Sequence, residues 1–256
     1  SSDLRQYGIE VVVDSPSVGG NLMEHPAAWI IAHTKSKTFN DEVSPVGFIK
    51  NGLNWLVRGR GPATSAVSLS QIFCHTRPGL AAPNIQICLT LMSIEMDQVS
   101  KQLMLGKRSG ISIAPIVVQP KGRGKIRIVS GNPEEMPVID HQLLGDRDDM
   151  DQLIEGAKKC LEILRADPLA SEIIEIKGLS DPNCTDRDYE DYLRSIAFRG
   201  DHPSGTCRMG GDATSVVDPE LKVRGVEGLR VADASIMPVV TNGNTNAPTL
   251  MIGYKA

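Results

Sequence analysis

A chain of 256 residues, 41% hydrophobic and 23% charged, carries enough apolar material for one large cored domain or two smaller ones. Its formal net charge of -4, with Lys and Arg scattered among acids, gives no basic surface for a phosphate backbone, so no nucleic-acid partner is expected. No apolar run approaches the roughly 18 to 20 residues that cross a bilayer, and no charged-then-apolar leader opens the sequence; no membrane span and a cytoplasmic location are the expectations.

The elements read in chain order are mixed α and β. Ile9 to Val13 is a β-branched run closed by Asp14, Ser15 and Pro16, which predicts a buried strand entering a turn. A Gly-rich loop, Val18-Gly19-Gly20-Asn21, follows. Ile85, Ile87, Leu89 and Leu91 alternate with Gln86, Cys88 and Thr90, the pattern of a strand with one face in the core. Ile111 to Val118, broken at Pro115, and Lys125 to Val129 predict further strands, and Pro120 to Gly124 supplies the turn residues for an antiparallel connection between them. From Asp146 the period lengthens: Met150, Leu153, Ile154, Ala157, Leu161 and Leu164 fall on one helical face after an acidic start that suits the helix dipole. Asp167-Pro168 ends that helix. Thr185-Asp186-Arg187-Asp188 predicts a capped start to a second helix through Ile196. Gly228 to Asp233 reads as a short strand, Ala234 to Pro248 as a loop, and Thr249 to Ala256 as the opening turns of a helix. Both ends have the look of positions interior to a larger protein.

The five cysteines, Cys74, Cys88, Cys160, Cys184 and Cys207, are spread out and include no C-x-x-C pair. They predict neither a disulfide framework nor a zinc site and suit a reducing compartment. Asn183-Cys184-Thr185 matches a glycosylation sequon, a triplet that chance often supplies. His25, His33, His75 and His141 lack ligand spacing such as H-x-x-x-H, so no metal is expected, and His25 is assigned no chemistry. The densest unusual segment is Asp201-His202-Pro203-Ser204-Gly205-Thr206-Cys207-Arg208-Met209-Gly210. It sets a His in a loop of Gly, Pro and Ser, where catalytic side chains concentrate. A His of near-neutral pKa can take the proton of an alcohol before hydride leaves the carbon. Alone, such a His is more often structural. Cys207 close by suggests a Cys/His nucleophile, but no third orienting group is identifiable, and a small buried filler is the simpler reading.

The company of that segment changes the balance. Gly228 to Pro238 (GLRVADASIMP), followed by Gly243-Asn244-Thr245-Asn246-Ala247-Pro248-Thr249, resembles the C-terminal signature of the glucose, methanol, choline (GMC) oxidoreductase family. Val18 to Pro26 (VGGNLMEHP) looks like that family's V-G-x-N-L-x-D-H-P loop, and Arg58-Gly59-Arg60-Gly61-Pro62 is similar to its G-R-G-P turn. Gln119-Pro120-Lys121 and Pro137-Val138-Ile139-Asp140 fall in the expected order, so the resemblance covers essentially the whole chain. The family opens with a G-x-G-x-x-G turn that holds the flavin pyrophosphate on a helix N-terminus. Gly59-Arg60-Gly61 and Gly122-Arg123-Gly124 both fail at the third Gly, so an N-terminal FAD-binding segment is expected as a missing partner.

The resemblance implies FAD as cofactor, a small-molecule alcohol as substrate, and an α+β architecture. Part of an FAD-binding domain (1–30 and 197–256) would flank an inserted substrate domain (31–196) of antiparallel sheet and helices. It implies His202 as the catalytic base, with Asn244 donating to the developing alkoxide in a place where members carry His or Asn. It implies Asp233 and Ala234 near the flavin's ribityl and phosphate region, and Thr245 and Asn246 near the pyrimidine edge. Without it, Asp233 reads as a turn-former and Asn246 as a loop amide. The same resemblance leaves room for a hydroxynitrile-lyase-like flavoprotein or a non-catalytic truncated remnant. Tyr254 departs from the pattern, standing where members commonly carry Glu in an I-G-E-K stretch.

Overall fold

The structure is a computed structural model and describes residues 2–66, 68–97, 103–179, 181 and 183–256. In chain order its elements are α1 (Ser2–Gln6), β1 (Pro26–Ala28), β2 (Ile30–Thr34), α2 (Phe39–Glu42), α3 (Pro45–Arg58), β3 (Ser70–Cys74), β4 (Ile85–Thr90), β5 (Ile94–Met96), β6 (Leu103–Leu105), β7 (Gly110–Val117), β8 (Lys125–Arg127), β9 (Val138–Asp140), α4 (Arg147–Leu164), α5 (Leu169–Glu172), β10 (Ile173–Ile176), α6 (Asp186–Ile196), β11 (Ala197–Arg199) and α7 (Asn246–Lys255). Short 3-10 turns lie at Pro62–Thr64 and Ala234–Ile236. The chain divides into two compact units, one of Ser1–Pro26, Val118–Asp149 and Arg199–Ala256, the other of Ala27–Val117 and Met150–Phe198. The stretch 118–149 thus groups with the two terminal segments.

The second unit is built on a seven-stranded sheet centred on β7. β2 and β1 pair along one edge of β7 and β4 along the other, all antiparallel. All eight residues of β7 are buried. The expected break at Pro115 does not occur. On the β1/β2 edge the pairs run from Ala27 opposite Ile116 to Ile30 opposite Ile113, so the residue without an N–H faces an interruption of that ladder. β4 forms as expected but is covered on both faces, because the polar half of its alternation is itself buried. Gln86, fully enclosed, donates to Gln71 Oε1 on β3 at 3.0 Å, and Cys88 packs as a small hydrophobe.

α4 forms as the periodicity predicts. Met150, Leu153, Ile154, Ala157, Leu161 and Leu164 are all buried, each large side chain worth roughly 1.5 to 3 kcal/mol of burial. Gly156 lets the helix close on the sheet: a Cβ there would lie 2.8 Å from Pro115 Cβ and 3.3 Å from Ile85. α6 starts with the expected cap, Thr185 and Asp188 bonding reciprocally in a capping box, and buries Tyr189 and Leu193. α3 was not anticipated. Only Gly47 is buried along it and Asn51 bonds Glu42, while Val46, Phe48, Ile49, Leu53, Leu56 and Val57 are exposed.

In the first unit the sequence expectations need four corrections. Ile9 to Val13 forms no strand, and Val12 is 85% exposed; β-branching favours strand geometry, but among the described residues no ladder partner pairs with it. The turn at Pro120 to Gly124 closes no hairpin between β7 and β8, since β8 pairs with β9. Gly228 to Asp233 is no strand either: Arg230 forms an isolated bridge with Lys222, Leu229 O accepts from Val223 N, and Val231 N donates to Leu221 O. α7 begins at Asn246, three residues earlier than expected. Among the described residues, no helix is long and apolar enough to cross a membrane.

Candidate active site

The six site residues that the family resemblance implies, His202, Asn244, Asp233, Ala234, Thr245 and Asn246, lie in the first unit. Its loop Gly19 to His25 is held by backbone bonds to two other segments. Leu22 exchanges bonds with Gly124, and Met23 with Ser204 at 2.9 and 3.1 Å. His25 O accepts from Gly200 N at 2.9 Å. The segment 200–206 is thereby laid along 21–25, and it turns at Gly205, where φ is +92° and a Cβ would stand 2.4 Å from Asn21 O.

That clamp brings four polar side chains together. His202 is buried, and its Nδ1 lies 3.0 Å from Nδ1 of the wholly buried His25, the rings meeting edge to face. On its other side, His202 Nε2 is 3.2 Å from Asn244 Nδ2. Glu24, also buried, accepts the backbone N–H of His25 at 2.8 Å and of His202 at 2.9 Å on the same oxygen, Oε1. Burial raises the Glu24 carboxyl pKa, and these two N–H donors only partly oppose it. Burial lowers the pKa of His202 from its ordinary value. Burial, reinforced by the neighbouring His202, lowers that of His25 to about 4. Both imidazoles are therefore neutral at neutral pH, and a neutral ring has a lone pair to offer a proton.

The remaining predicted residues lie on two other segments of the same unit. Thr245 is buried and Asn246 exposed, and they follow Asn244 directly into α7. Thr245 makes no side-chain cap at the start of that helix. Asp233 and Ala234 sit on the 3-10 turn beside the loop: Asp233 Oδ1 accepts from Ser235 N at 2.7 Å, and Ala234 O from Gly205 N at 3.2 Å. The turn-forming role of Asp233 is thus real. Cys207 is half-buried, and burial raises its thiol pKa, which opposes a nucleophilic role.

Glu24 and His25 are the residues that sequence reasoning passed over. The available signal was an acid and a His set side by side in an otherwise apolar stretch, Leu22-Met23 before them and Ala27-Ala28 after, where an unpaired charge is costly.

Comparison with known proteins places the chain in a family. The family model described as GMC oxidoreductase matches residues 120–253. The alcohol dehydrogenase (acceptor) of Pseudomonas putida is 35% identical over 268 residues, covering 100% of this chain and 46% of its own. The oxygen-dependent choline dehydrogenase of Brucella canis is 32% identical over 262 residues, covering 100% and 46%. An uncharacterized GMC-type oxidoreductase of Mycobacterium bovis is 34% identical over 256 residues, covering 99% and 47%. The chain therefore spans about half the length of the curated relatives it matches. Among solved structures, pyridoxine 4-oxidase from Mesorbium loti superposes with a TM-score of 0.80 at 23% identity, over 98% of this chain and 45% of its own. A formate oxidase variant from Aspergillus oryzae RIB40 superposes with a TM-score of 0.87 at 20% identity, over 99% and 49%. At those identities the likeness is one of fold. With the family model spanning more than half of its residues and a mixed helix and antiparallel-sheet fold shared with these oxidases, the chain belongs to the GMC oxidoreductase family.

Proposed function

We propose that the protein of which this chain is part oxidises the CH–OH group of a small alcohol with FAD as acceptor, His202 serving as the base. The single observation that supports this most is the neutral, buried His202 whose Nε2 faces the Asn244 amide at 3.2 Å. A substrate hydroxyl that replaces their mutual bond, with its oxygen in reach of both nitrogens, gives its proton to Nε2. The amide N–H then stabilises the alkoxide, a fixed dipole that needs no titration. Raising electron density on that oxygen drives the carbinol C–H electron pair outward as hydride.

The residues present fit a flavin. Ser204 Oγ and Thr241 Oγ1, neighbours of the site in sequence, are buried polar atoms with no protein partner, and the start of α7 lacks a side-chain cap. Asp233 and Ala234 would hold the ribityl and phosphate region, and Thr245 and Asn246 the pyrimidine edge. The chemistry such a group supplies when bound is acceptance of the hydride. The names of the relatives, an alcohol and a choline dehydrogenase, support the CH–OH class. In this reading 1–30 and 197–256 are the flavin side and 31–196 the substrate side.

The test is anaerobic stopped-flow mixing of the FAD-loaded full-length protein with a panel of primary alcohols. Bleaching of the flavin is expected, and His202→Ala should slow it by about 100- to 10,000-fold with FAD still bound. A flavin that stays oxidised with every alcohol would move the protein to the lyase-like class, and an undiminished rate in His202→Ala would remove the base assignment.

A further inference from the structure

We infer that His25 is a positioning residue: its Nδ1 accepts the Nδ1–H of His202 and so holds that ring in the tautomer whose Nε2 lone pair faces Asn244. This rests on the reading of His202 as proton acceptor. The two Nδ1 atoms are 3.0 Å apart, and a hydrogen bond between ring nitrogens needs a proton on one and a lone pair on the other. The opposite edge of His202 decides which. Asn244 Nδ2 lies 3.2 Å from His202 Nε2, and a carboxamide nitrogen only donates. Nε2 therefore accepts, and the single proton of the neutral His202 ring resides on Nδ1. His25 then accepts at Nδ1 and carries its own proton on Nε2. The backbone groups of Thr241 and Val118 favour a proton on that ring, although its buried Nε2 makes no hydrogen bond among the described residues. The donors run one way, from Asn244 to His202 to His25.

Three features keep this order. His25 and His202 are both buried, so bulk water does not satisfy the other tautomer. Glu24 holds the backbone N–H groups of both histidines on one oxygen, which fixes the rings against each other. Burial also keeps His25 neutral, and only the neutral ring has a lone pair at Nδ1. A ring that merely filled space here would be replaced by an apolar side chain without the cost of desolvating an imidazole. As an orienting group, His25 instead sets which nitrogen of the base is free, a choice made by the bond at the other ring nitrogen. Proton uptake at Nε2 then gives an imidazolium whose Nδ1–H already has a neutral acceptor, so the ring does not have to turn.

The test reads the tautomer directly, by long-range 1H–15N correlation on the 15N-histidine-labelled chain, with His202 assigned from His202→Ala. Neither flavin nor alcohol is needed. In the unaltered chain His202 is expected to show a protonated Nδ1 and an unprotonated Nε2. His25→Asn keeps a carbonyl acceptor near the place of Nδ1 and should retain that signature; His25→Leu removes it and should move the proton to Nε2. A proton on His202 Nε2 in the unaltered chain, or an unchanged tautomer in His25→Leu, overturns the inference. Should the Leu variant fail to fold, the signature of the unaltered chain decides alone. In the FAD-loaded protein, His25→Leu is expected to slow flavin reduction on the order of 100-fold, the lower end of what a general base contributes. His25→Asn should slow it by less than about tenfold on the same scale, and equal losses in the two variants would also overturn the role. An undiminished rate in His202→Ala is a failure of the base assignment, which the tautomer signature distinguishes from a failure of this inference.

Discussion

Glu24 and His202 are joined through the backbone: the buried Glu24 Oε1 accepts the His202 N–H at 2.9 Å and the His25 N–H at 2.8 Å. One carboxylate oxygen thus sets the spacing of two loop segments far apart in the chain. Glu24→Ala leaves two enclosed N–H groups without acceptors, at about 1 to 3 kcal/mol each, so a loss of roughly 2 to 6 kcal/mol is expected. Glu24→Gln keeps a carbonyl oxygen in reach and should lose much less. Urea unfolding of both variants checks this; equal losses would mean that the two bonds do not hold the loops.

The buried histidines give stability a definite slope with pH. The folded pKa of His25 is lowered from its ordinary value to about 4, chiefly by burial. A group depressed in the folded state contributes stability that is complete above its unfolded pKa, near 6.5, and is lost as pH falls through the folded one. The shift corresponds to on the order of 3 kcal/mol. The difference in urea midpoint between the unaltered protein and His25→Asn should therefore change steadily between about pH 6.5 and 4 and level off outside that window. A difference independent of pH would show that His25 is not held neutral.

Legibility of this chain follows the range of the interactions. α4 and α6 are readable because helix period and capping are local: Leu153 and Leu161, or Thr185 and Asp188, declare themselves within a few residues. Strands depend on distant partners. Ile9 to Val13 has the composition of a strand and no pairing neighbour among the described residues, whereas Pro115 looks like a breaker and is tolerated because the ladder beside it is interrupted. At the site, His202 and Asn244 came from the ordered family motifs, and the structure brings them to 3.2 Å. Glu24 and His25 were hidden because their importance is a contact with residues about 180 positions away, which no local pattern records.

Two helical glycines test whether packing or propensity wins. Gly52 on the exposed side of α3 has nothing within 4 Å of a built Cβ, so Gly52→Ala should stabilise by about 0.5 to 1 kcal/mol. Gly156 on α4 would place its Cβ 2.8 Å from Pro115 and 3.3 Å from Ile85. Overpacking costs about 1 to 3 kcal/mol, which exceeds the same propensity gain, so Gly156→Ala should destabilise. Thermal unfolding of the two variants should shift in opposite directions, and a stabilised Gly156→Ala would show that the helix has room to move off the sheet.

Asn244 separates a dipole from a titrating group. In the proposed reaction its N–H stabilises the alkoxide without changing charge, so Asn244→Ala should lower the flavin reduction rate by about 100- to 1,000-fold. KM should change less, because the bond strengthens as charge develops on the oxygen. Asn244→His, the other side chain that the family resemblance implies at this place, can donate from a ring N–H and should recover part of the rate. That variant adds a group that titrates near pH 6.5, so its pH profile should gain an inflection that the unaltered enzyme lacks. Steady-state and stopped-flow rates across pH 5 to about 9 measure both effects. A rate in Asn244→Ala equal to that of the unaltered enzyme would mean that the amide, although 3.2 Å from His202 Nε2, does not face the reacting oxygen.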